Sequence, residues 1–257
     1  MRWMLVPVLA LLACMLLSPL LFAGKPAAGC HPIVDACCSE LFGGWVDGKW
    51  VKGEKMKPLI EGGEVYRLYT PTRFLGTATG GKFHYSESDE EEFGATSIDI
   101  ALPGAIKKDE KNKGQEIFGV CGDWNALPRV PVELSADSKT YREAVRAILK
   151  RQKLPNAPVN ITKILRVDLE GDGTDEVLIS ATTPRKEYLS PQAKKNDYSL
   201  IIIRKLVKGK IVTIPLAEKY FTWDDKQGES SLPELYTLEA VLDVNGDGVM
   251  EVIIGWQ

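Results

Sequence analysis

This 257-residue chain is poor in histidine and has no surplus of basic residues. It has two histidines, and its 32 lysines and arginines are outnumbered by 35 aspartates and glutamates, so the formal net charge is −3. These numbers exclude a histidine-rich metal centre and argue against nucleic-acid binding, which requires a basic excess. The sequence also lacks a G-x-S-x-G motif, an H-E-x-x-H motif and a phosphate-binding glycine loop. Its 44% apolar and 26% charged residues are typical of a folded protein.

The N-terminal segment predicts export from the cytoplasm. Arg2 precedes an apolar run over residues 3–22, and Ala23-Gly24 supplies the small residues of a signal-peptidase site. We therefore predict a signal peptide over residues 1–23. Two alternatives stay open. One is an uncleaved signal anchor, because a bilayer is crossed by ~20 apolar residues. The other is a lipoprotein, because lipobox-like sequences end at Cys14 and Cys30.

Four cysteines follow the predicted signal peptide: Cys30, Cys37, Cys38 and Cys121. In an exported chain they predict up to two disulfides, for which three connectivities exist. A bridge between the adjacent Cys37 and Cys38 would be strained, so each is expected to pair elsewhere. The alternative is a metal site from Cys30, His31, Cys37 and Cys38, but this spacing matches no standard zinc pattern.

Two β-rich regions are predicted, over residues 30–137 and 159–257, with a helical connection over 138–158. The first region includes a hairpin at Trp45–Trp50, whose Asp-Gly pair tolerates the positive φ of a tight turn. In the second region the β-branched runs predict strands over 160–167, 177–181, 198–207, 210–215 and 235–242.

The connection contains one amphipathic helix near residues 141–153. Tyr141, Val145, Ile148 and Leu149 recur at helical spacing between basic residues, and we expect this apolar face to pack on its own domain. Thr140 and Glu143 predict a capping box at the start of the helix, and Pro155 ends it.

An acidic loop occurs twice in the second region. Residues 168–176 have the sequence DLEGDGTDE, residues 243–251 have DVNGDGVME, and an apolar strand follows each copy. Both copies carry oxygen-bearing side chains at positions 1, 3 and 5, glycine at position 6 and a carboxylate at position 9. Alternate residues of a tight loop can turn inward, and calcium takes six to eight oxygens. Polar β-turns are the alternative, but two matching copies favour calcium. An EF-hand is excluded, because position 12 is Ile179 or Ile254 and a strand follows.

The segments DLEGDGTDEVLIS and DVNGDGVMEVIIG resemble the calcium loops of FG-GAP and VCBS-type repeats, found in integrin-like β-propellers and exported bacterial proteins. The resemblance covers about residues 160–257. It implies a structural calcium bound at positions 1, 3, 5, 7 and 9 of each loop. These are Asp168, Glu170, Asp172, Thr174 and Glu176, then Asp243, Asn245, Asp247, Val249 and Glu251. Position 9 is Glu rather than the usual Asp in both copies, and position 3 of the first copy is Glu rather than Asp or Asn.

The resemblance also implies a mainly β fold of propeller-like antiparallel blades with β-flanked calcium loops. The strands over 177–181, 198–207, 210–215 and 235–242 would form one four-stranded blade. The number of blades, and whether the ring is complete, stay open.

Together these features predict an exported calcium-binding protein. We expect a non-catalytic binding or adhesion module at the cell surface or in the periplasm, whose partner is an extracellular protein or glycan. Membrane association would require an uncleaved or lipidated N-terminus, and no nucleic-acid partner is expected. The alternative is a secreted hydrolase with a carboxylate-based site in the N-terminal half and calcium as a structural ion.

Overall fold

The computed structural model describes residues 2–6, 29–86, 95–104, 106, 111, 115–183, 193–222 and 234–256. Over these residues the protein is mainly β with antiparallel sheets, which confirms this part of the predicted fold class. A propeller stays a prediction. The chain divides into two compact units. We name them the sheet unit (Met1–Val6, Pro131–Glu239 and Val252–Gln257) and the barrel unit (Pro7–Val130 and Ala240–Glu251).

The elements of the described residues are numbered in chain order. The strands are β1 (Arg2–Val6), β2 (Cys30–Asp35), β3 (Glu40–Val46), β4 (Lys49–Lys52), β5 (Val65–Thr70), β6 (Arg73–Ser86), β7 (Ala95–Ile100), β8 (Phe118–Cys121), β9 (Val132–Glu133), β10 (Ile161–Val167), β11 (Glu176–Thr182), β12 (Tyr198–Val207), β13 (Lys210–Tyr220), β14 (Tyr236–Leu242) and β15 (Glu251–Trp256). The helices are α1 (Gly53–Met56) and α2 (Lys139–Arg151).

A seven-stranded sheet forms most of the barrel unit, in the order β2-β8-β5-β6-β7-β3-β4. Because β2 pairs with β3 as well as with β8, the sheet curls back towards its first strand as a half-barrel. Successive side chains of a strand point to opposite faces, so Tyr66 and Leu68 of β5 are buried in the core while Val65 is exposed. Leu41 and Ile98 from other strands pack in the same core.

The predicted hairpin at Trp45–Trp50 is confirmed. It joins β3 to β4, with Trp45 opposite Trp50 and Val46 opposite Lys49. Asp47 has φ 48° and Gly48 has φ 80°, the two positive values that a type I′ turn requires.

A five-stranded antiparallel sheet in the order β13-β12-β11-β10-β9 forms the body of the sheet unit. Helix α2 packs on it through Val145, Ile148 and Leu149, which share a core with strand residues such as Ile164 and Ile179. Each such side chain contributes about 1.5–3 kcal/mol when fully buried. The amphipathic helix and the burial of its apolar face are therefore confirmed.

The predicted capping box of this helix is wrong. Its N-cap is Ser138, no side chain caps it, and Thr140 lies inside the first turn. A capping side chain must precede the helix to reach its free N–H groups, so Thr140 is too late in the chain to serve.

The composition predicted for the four-stranded blade is also wrong. Strands β11, β12 and β13 are neighbours as expected, but the sheet continues through β10, and β14 lies next to β15 in another sheet. The physical reason is that each acidic loop is a tight connection. The strand before it pairs with the strand after it, as in β10–β11, where Val167 lies opposite Glu176.

The third sheet has the order β1-β15-β14. β1 pairs antiparallel with β15, from Arg2 opposite Trp256 to Val6 opposite Val252. β1 is part of the predicted signal peptide, and the rest of that segment, with Cys14, lies outside the described residues. Among the described helices, none is both long enough and apolar enough to cross a bilayer.

Candidate metal centre

The first acidic loop joins β10 to β11 in the sheet unit, and main-chain N–H groups hold its carboxylates. Asp168 accepts hydrogen bonds through Oδ1 from Gly171 N (2.7 Å) and through Oδ2 from Gly173 N (2.9 Å). Asp172 Oδ1 accepts one from Thr174 N (2.8 Å), and Glu176 Oε2 accepts one from Leu169 N (2.9 Å). The residues at positions 1, 5 and 9 are therefore fixed by the loop backbone itself.

The second acidic loop joins β14 to β15 and repeats this pattern atom for atom. Asp243 accepts from Gly246 N (2.7 Å) and Gly248 N (2.9 Å), Asp247 Oδ1 from Val249 N (2.8 Å), and Glu251 Oε2 from Val244 N (3.0 Å). The glycines at positions 4 and 6 have φ 74° and 84° in the first loop and 75° and 84° in the second. The two copies therefore share one backbone conformation.

The two loops differ in how deeply they bury their side chains. In the second loop the four residues at positions 1, 3, 5 and 9 are only 2–4% exposed: Asp243, Asn245, Asp247 and Glu251. Val249, which would contribute its carbonyl at position 7, is 3% exposed. In the first loop Glu176 is 2% exposed, whereas Asp172 is exposed and Asp168, Glu170 and Thr174 are half-buried.

The amide of Asn245 links the carboxylates of the second loop. Its Nδ2 donates to Glu251 Oε1 (2.9 Å) and Asp247 Oδ2 (3.3 Å), while its Oδ1 accepts from Asp247 N (2.8 Å). Neither loop brings three carboxylates within 4.8 Å of one another. The carboxylates of each loop are thus farther apart than in a compact cluster of ligands, and in the second loop a neutral amide lies between the acids.

Burial makes ionisation of the second loop unfavourable. Burial raises the pKa of Asp243 to about 6, partly opposed by N–H donors and reinforced by Asp247. Burial also raises the pKa of Asp247. It raises the pKa of Glu251 well above its ordinary value, and the negative charges of Asp247 and Asp243 raise it further. Among the described residues, no lysine, arginine or histidine forms an ion pair with these three acids.

The first loop, in contrast, contacts a buried basic side chain from β12. Lys205 Nζ lies 2.5 Å from Glu170 Oε1, and Lys205 is only 8% exposed. Burial raises the pKa of Glu176 to about 7; the neighbouring Glu170 reinforces this rise and Lys205 opposes it. Glu170 of this loop therefore already has a basic partner.

Three residues outside the predicted site anchor the second loop within the barrel unit. Trp124 Nε1 donates to the carbonyl of Asp243 (2.7 Å), Arg129 Nη2 donates to the carbonyl of Gly248 (2.7 Å), and Ala126 O accepts from Asp243 N (2.8 Å). No local sequence pattern points to these three residues, because they lie more than a hundred residues before the loop.

A second cluster of ligand-type groups lies at the turn between β2 and β3. Ligand atoms of Asp35, Cys37 and Glu116 lie within 4.8 Å of one another. Asp35 Oδ1 accepts hydrogen bonds from the main-chain N–H groups of Cys37 (2.8 Å) and Cys38 (3.2 Å). The buried carboxylate thus caps this turn, a structural role that accounts for its position.

The four described cysteines are not bridged in this structure, so the predicted disulfides stay a prediction. Burial, reinforced by nearby acids, raises the pKa of all four thiols, to about 11 for Cys38 and Cys121. The alternative metal set is not assembled, because the one tight group among the described residues contains neither Cys30 nor His31.

The donor chemistry of the second loop fits calcium. It offers carboxylate, amide and main-chain oxygens, no thiol or imidazole, and acids with no basic partner among the described residues. The first loop fits less well, because Lys205 already neutralises Glu170. Comparison of the chain with protein families, with curated proteins and with solved structures finds no match.

Proposed function

We propose that this chain is an exported calcium-binding protein with FG-GAP/VCBS-like loops, and that it serves as a non-catalytic binding or adhesion module outside the cytoplasm. Its partner would be an extracellular protein or glycan, and calcium would act as a structural ion. The observation that carries the proposal is the buried set of Asp243, Asp247 and Glu251, which has no basic partner among the described residues.

Electrostatics supports a cation at this set. Buried carboxylates are normally paired with a basic side chain or bound to a metal, because an isolated buried charge is costly. Here one oxygen of Asp247 and one of Glu251 accept a main-chain N–H, and their second oxygens accept from the neutral amide of Asn245. A divalent cation would favour the ionised form of all three acids.

The placement of the loop supports a structural role for the ion. The four side chains at positions 1, 3, 5 and 9 are almost completely buried, and the loop is tied to Trp124 and Arg129. A catalytic metal needs an open position for substrate or water, whereas an ion enclosed by loop oxygens stabilises the fold. Export is supported by the N-terminal segment.

Thermal unfolding of the purified chain in calcium, in magnesium and in EGTA tests the proposal. We expect a transition several degrees higher in calcium than in EGTA, with a smaller rise in magnesium, which prefers a tighter octahedral site. Equal transitions in calcium and EGTA would contradict the metal site.

Binding of the labelled chain to immobilised glycans, with calcium and with EGTA, tests the partner. Calcium-dependent capture by a defined glycan would support the adhesion role. Cleavage of those glycans by the chain would instead support the hydrolase alternative.

A further inference from the structure

Lys205 occupies a distinctive place beside the first acidic loop. It lies on β12, and because Val177 of β11 is opposite Arg204, Lys205 is the neighbour of Glu176 across the sheet. Its Nζ is 2.5 Å from Glu170 Oε1, and its side chain is 8% exposed against 21% for that of Glu170. A buried ammonium thus sits against position 3 of the loop and beside position 9.

In the second loop the one cationic contact among the described residues is that of Arg129 with the carbonyl of Gly248 at position 6, and no basic side chain pairs with an acid at positions 1, 5 or 9. Its position 3 is the neutral Asn245 instead of a glutamate, and its acids form no ion pair there. The first loop has four acids at positions 1, 3, 5 and 9, and the buried ammonium of Lys205 lies against the one at position 3. The second loop has three acids at the same positions and an amide at position 3. The two loops therefore differ in the fixed ammonium at position 3.

We propose that Lys205 is a built-in counter-ion of the first loop, and that the second loop consequently binds calcium at a lower concentration than the first. This inference rests on the proposed function. The ammonium holds Glu170 in an ion pair, which withdraws one ligand, and it repels a divalent cation that enters the same space. Filling the first loop would require Glu170 to leave Lys205, whereas the second loop has no ion pair to break.

Calcium titration by isothermal calorimetry after EGTA stripping tests this proposal, with Lys205→Met as the main variant. For the wild-type chain we expect one tight site and a second site at least tenfold weaker. Asp247→Asn assigns the tight site, because it should remove the tight site and leave the weak one. Lys205→Met should tighten the weak site at least tenfold and leave the tight site unchanged.

A matched control is available on the neighbouring strand. Lys219 of β13 forms a similar ion pair with Glu234 (2.8 Å) away from both loops, so Lys219→Met should leave both affinities unchanged. Lys205→Gln provides a second neutral variant in case Lys205→Met does not fold, and it should show the same tightening. Lys205→Arg, which keeps the charge, should behave like the wild type.

The outcomes separate this inference from the proposed function. Two equally tight sites in the wild type, or a weak site that neither neutral variant tightens, would overturn the role of Lys205 and leave the calcium proposal in place. Loss of the weak site rather than the tight one in Asp247→Asn would also overturn it. Absence of calcium binding to every form would refute the proposed function, and the inference would fail with it.

Discussion

Replacing Asp247 by asparagine separates the ionic role of this side chain from its role in the loop. Asparagine keeps the Oδ1 that accepts the hydrogen bond from Val249 N, so the loop should keep its conformation. It loses the weaker contact of Oδ2 with Asn245 Nδ2 (3.3 Å), worth about 1 kcal/mol. Removing one negative charge next to Asp243 and Glu251 offsets this loss. In EGTA we therefore expect a free energy of unfolding within about 1 kcal/mol of the wild type.

Calcium should reveal the difference between the two forms. At a free concentration 100-fold above the dissociation constant, a ligand that binds only the folded state adds about 2.7 kcal/mol. For a chain of this size that corresponds to about 5–11 °C in Tm, at roughly 2–4 °C per kcal/mol. The wild type should show this rise in a circular-dichroism melt with calcium, and Asp247→Asn should lose most of it.

Asp197→Asn is the matched control. Asp197 is 9% exposed and accepts a hydrogen bond from Lys194 N (2.7 Å), but it belongs to neither acidic loop. Any change in stability of this variant should be the same in calcium and in EGTA, and the full calcium-dependent rise should be kept. If Asp247→Asn also kept the full rise, the second loop would not be the site, and the argument from buried acids without a basic partner would be refuted.

Three further predictions concern packing, backbone and thiol chemistry. Leu149 of α2 is only 1% exposed. Leu149→Ala should therefore lower the free energy of unfolding, measured by urea titration, by about 2–5 kcal/mol, equally with and without calcium. Gly246→Ala should lower the free energy of unfolding more than Gly248→Ala does. Both glycines have positive φ, but only a Cβ at position 246 would contact the Trp124 ring, at 2.9 Å. Equal losses of stability in the two variants would contradict this contact. Burial raises the pKa of the Cys121 thiol from 9.0 to about 11. At pH 8 Cys121 should therefore react with iodoacetamide about a hundredfold more slowly in the folded chain than in the urea-unfolded chain. Equal rates would contradict its burial.

Local patterns predicted individual elements well. Strand β12 begins and ends where its β-branched run does, at Tyr198 and Val207, because such residues favour extended backbone. The Asp47-Gly48 turn and helix α2 followed from turn chemistry and from apolar spacing, each of which acts within a few residues. The shared hydrogen bonds of the two acidic loops are local in the same sense, since each loop donates its own N–H groups to its own carboxylates.

Pairing between distant elements could not be predicted in this way. An apolar strand pattern indicates which face of a strand is buried but not which strand lies next to it. The pattern therefore wrongly predicts β14 beside β11, β12 and β13, whereas β14 pairs with β15. For the same reason the sequence does not predict the contact of Lys205 with Glu170, 35 residues away, or that of Trp124 with Asp243, 119 residues away. Both contacts depend on how the strands assemble, and a single sequence carries no local signal for them.

The pairing of β1 with β15 also bears on the order in which the protein folds. Residues 2–6 and residues 251–256 are far apart in this sequence, so closing this pair carries a larger entropic cost than pairing strands that are neighbours in the chain. The strands of the half-barrel, which end at Cys121, are complete much earlier. Until residues 251–256 have been synthesised, residues 2–6 cannot form this pair. If residues 1–23 were cleaved, as the signal-peptide prediction expects, β15 would lose β1 and keep β14 as its neighbour.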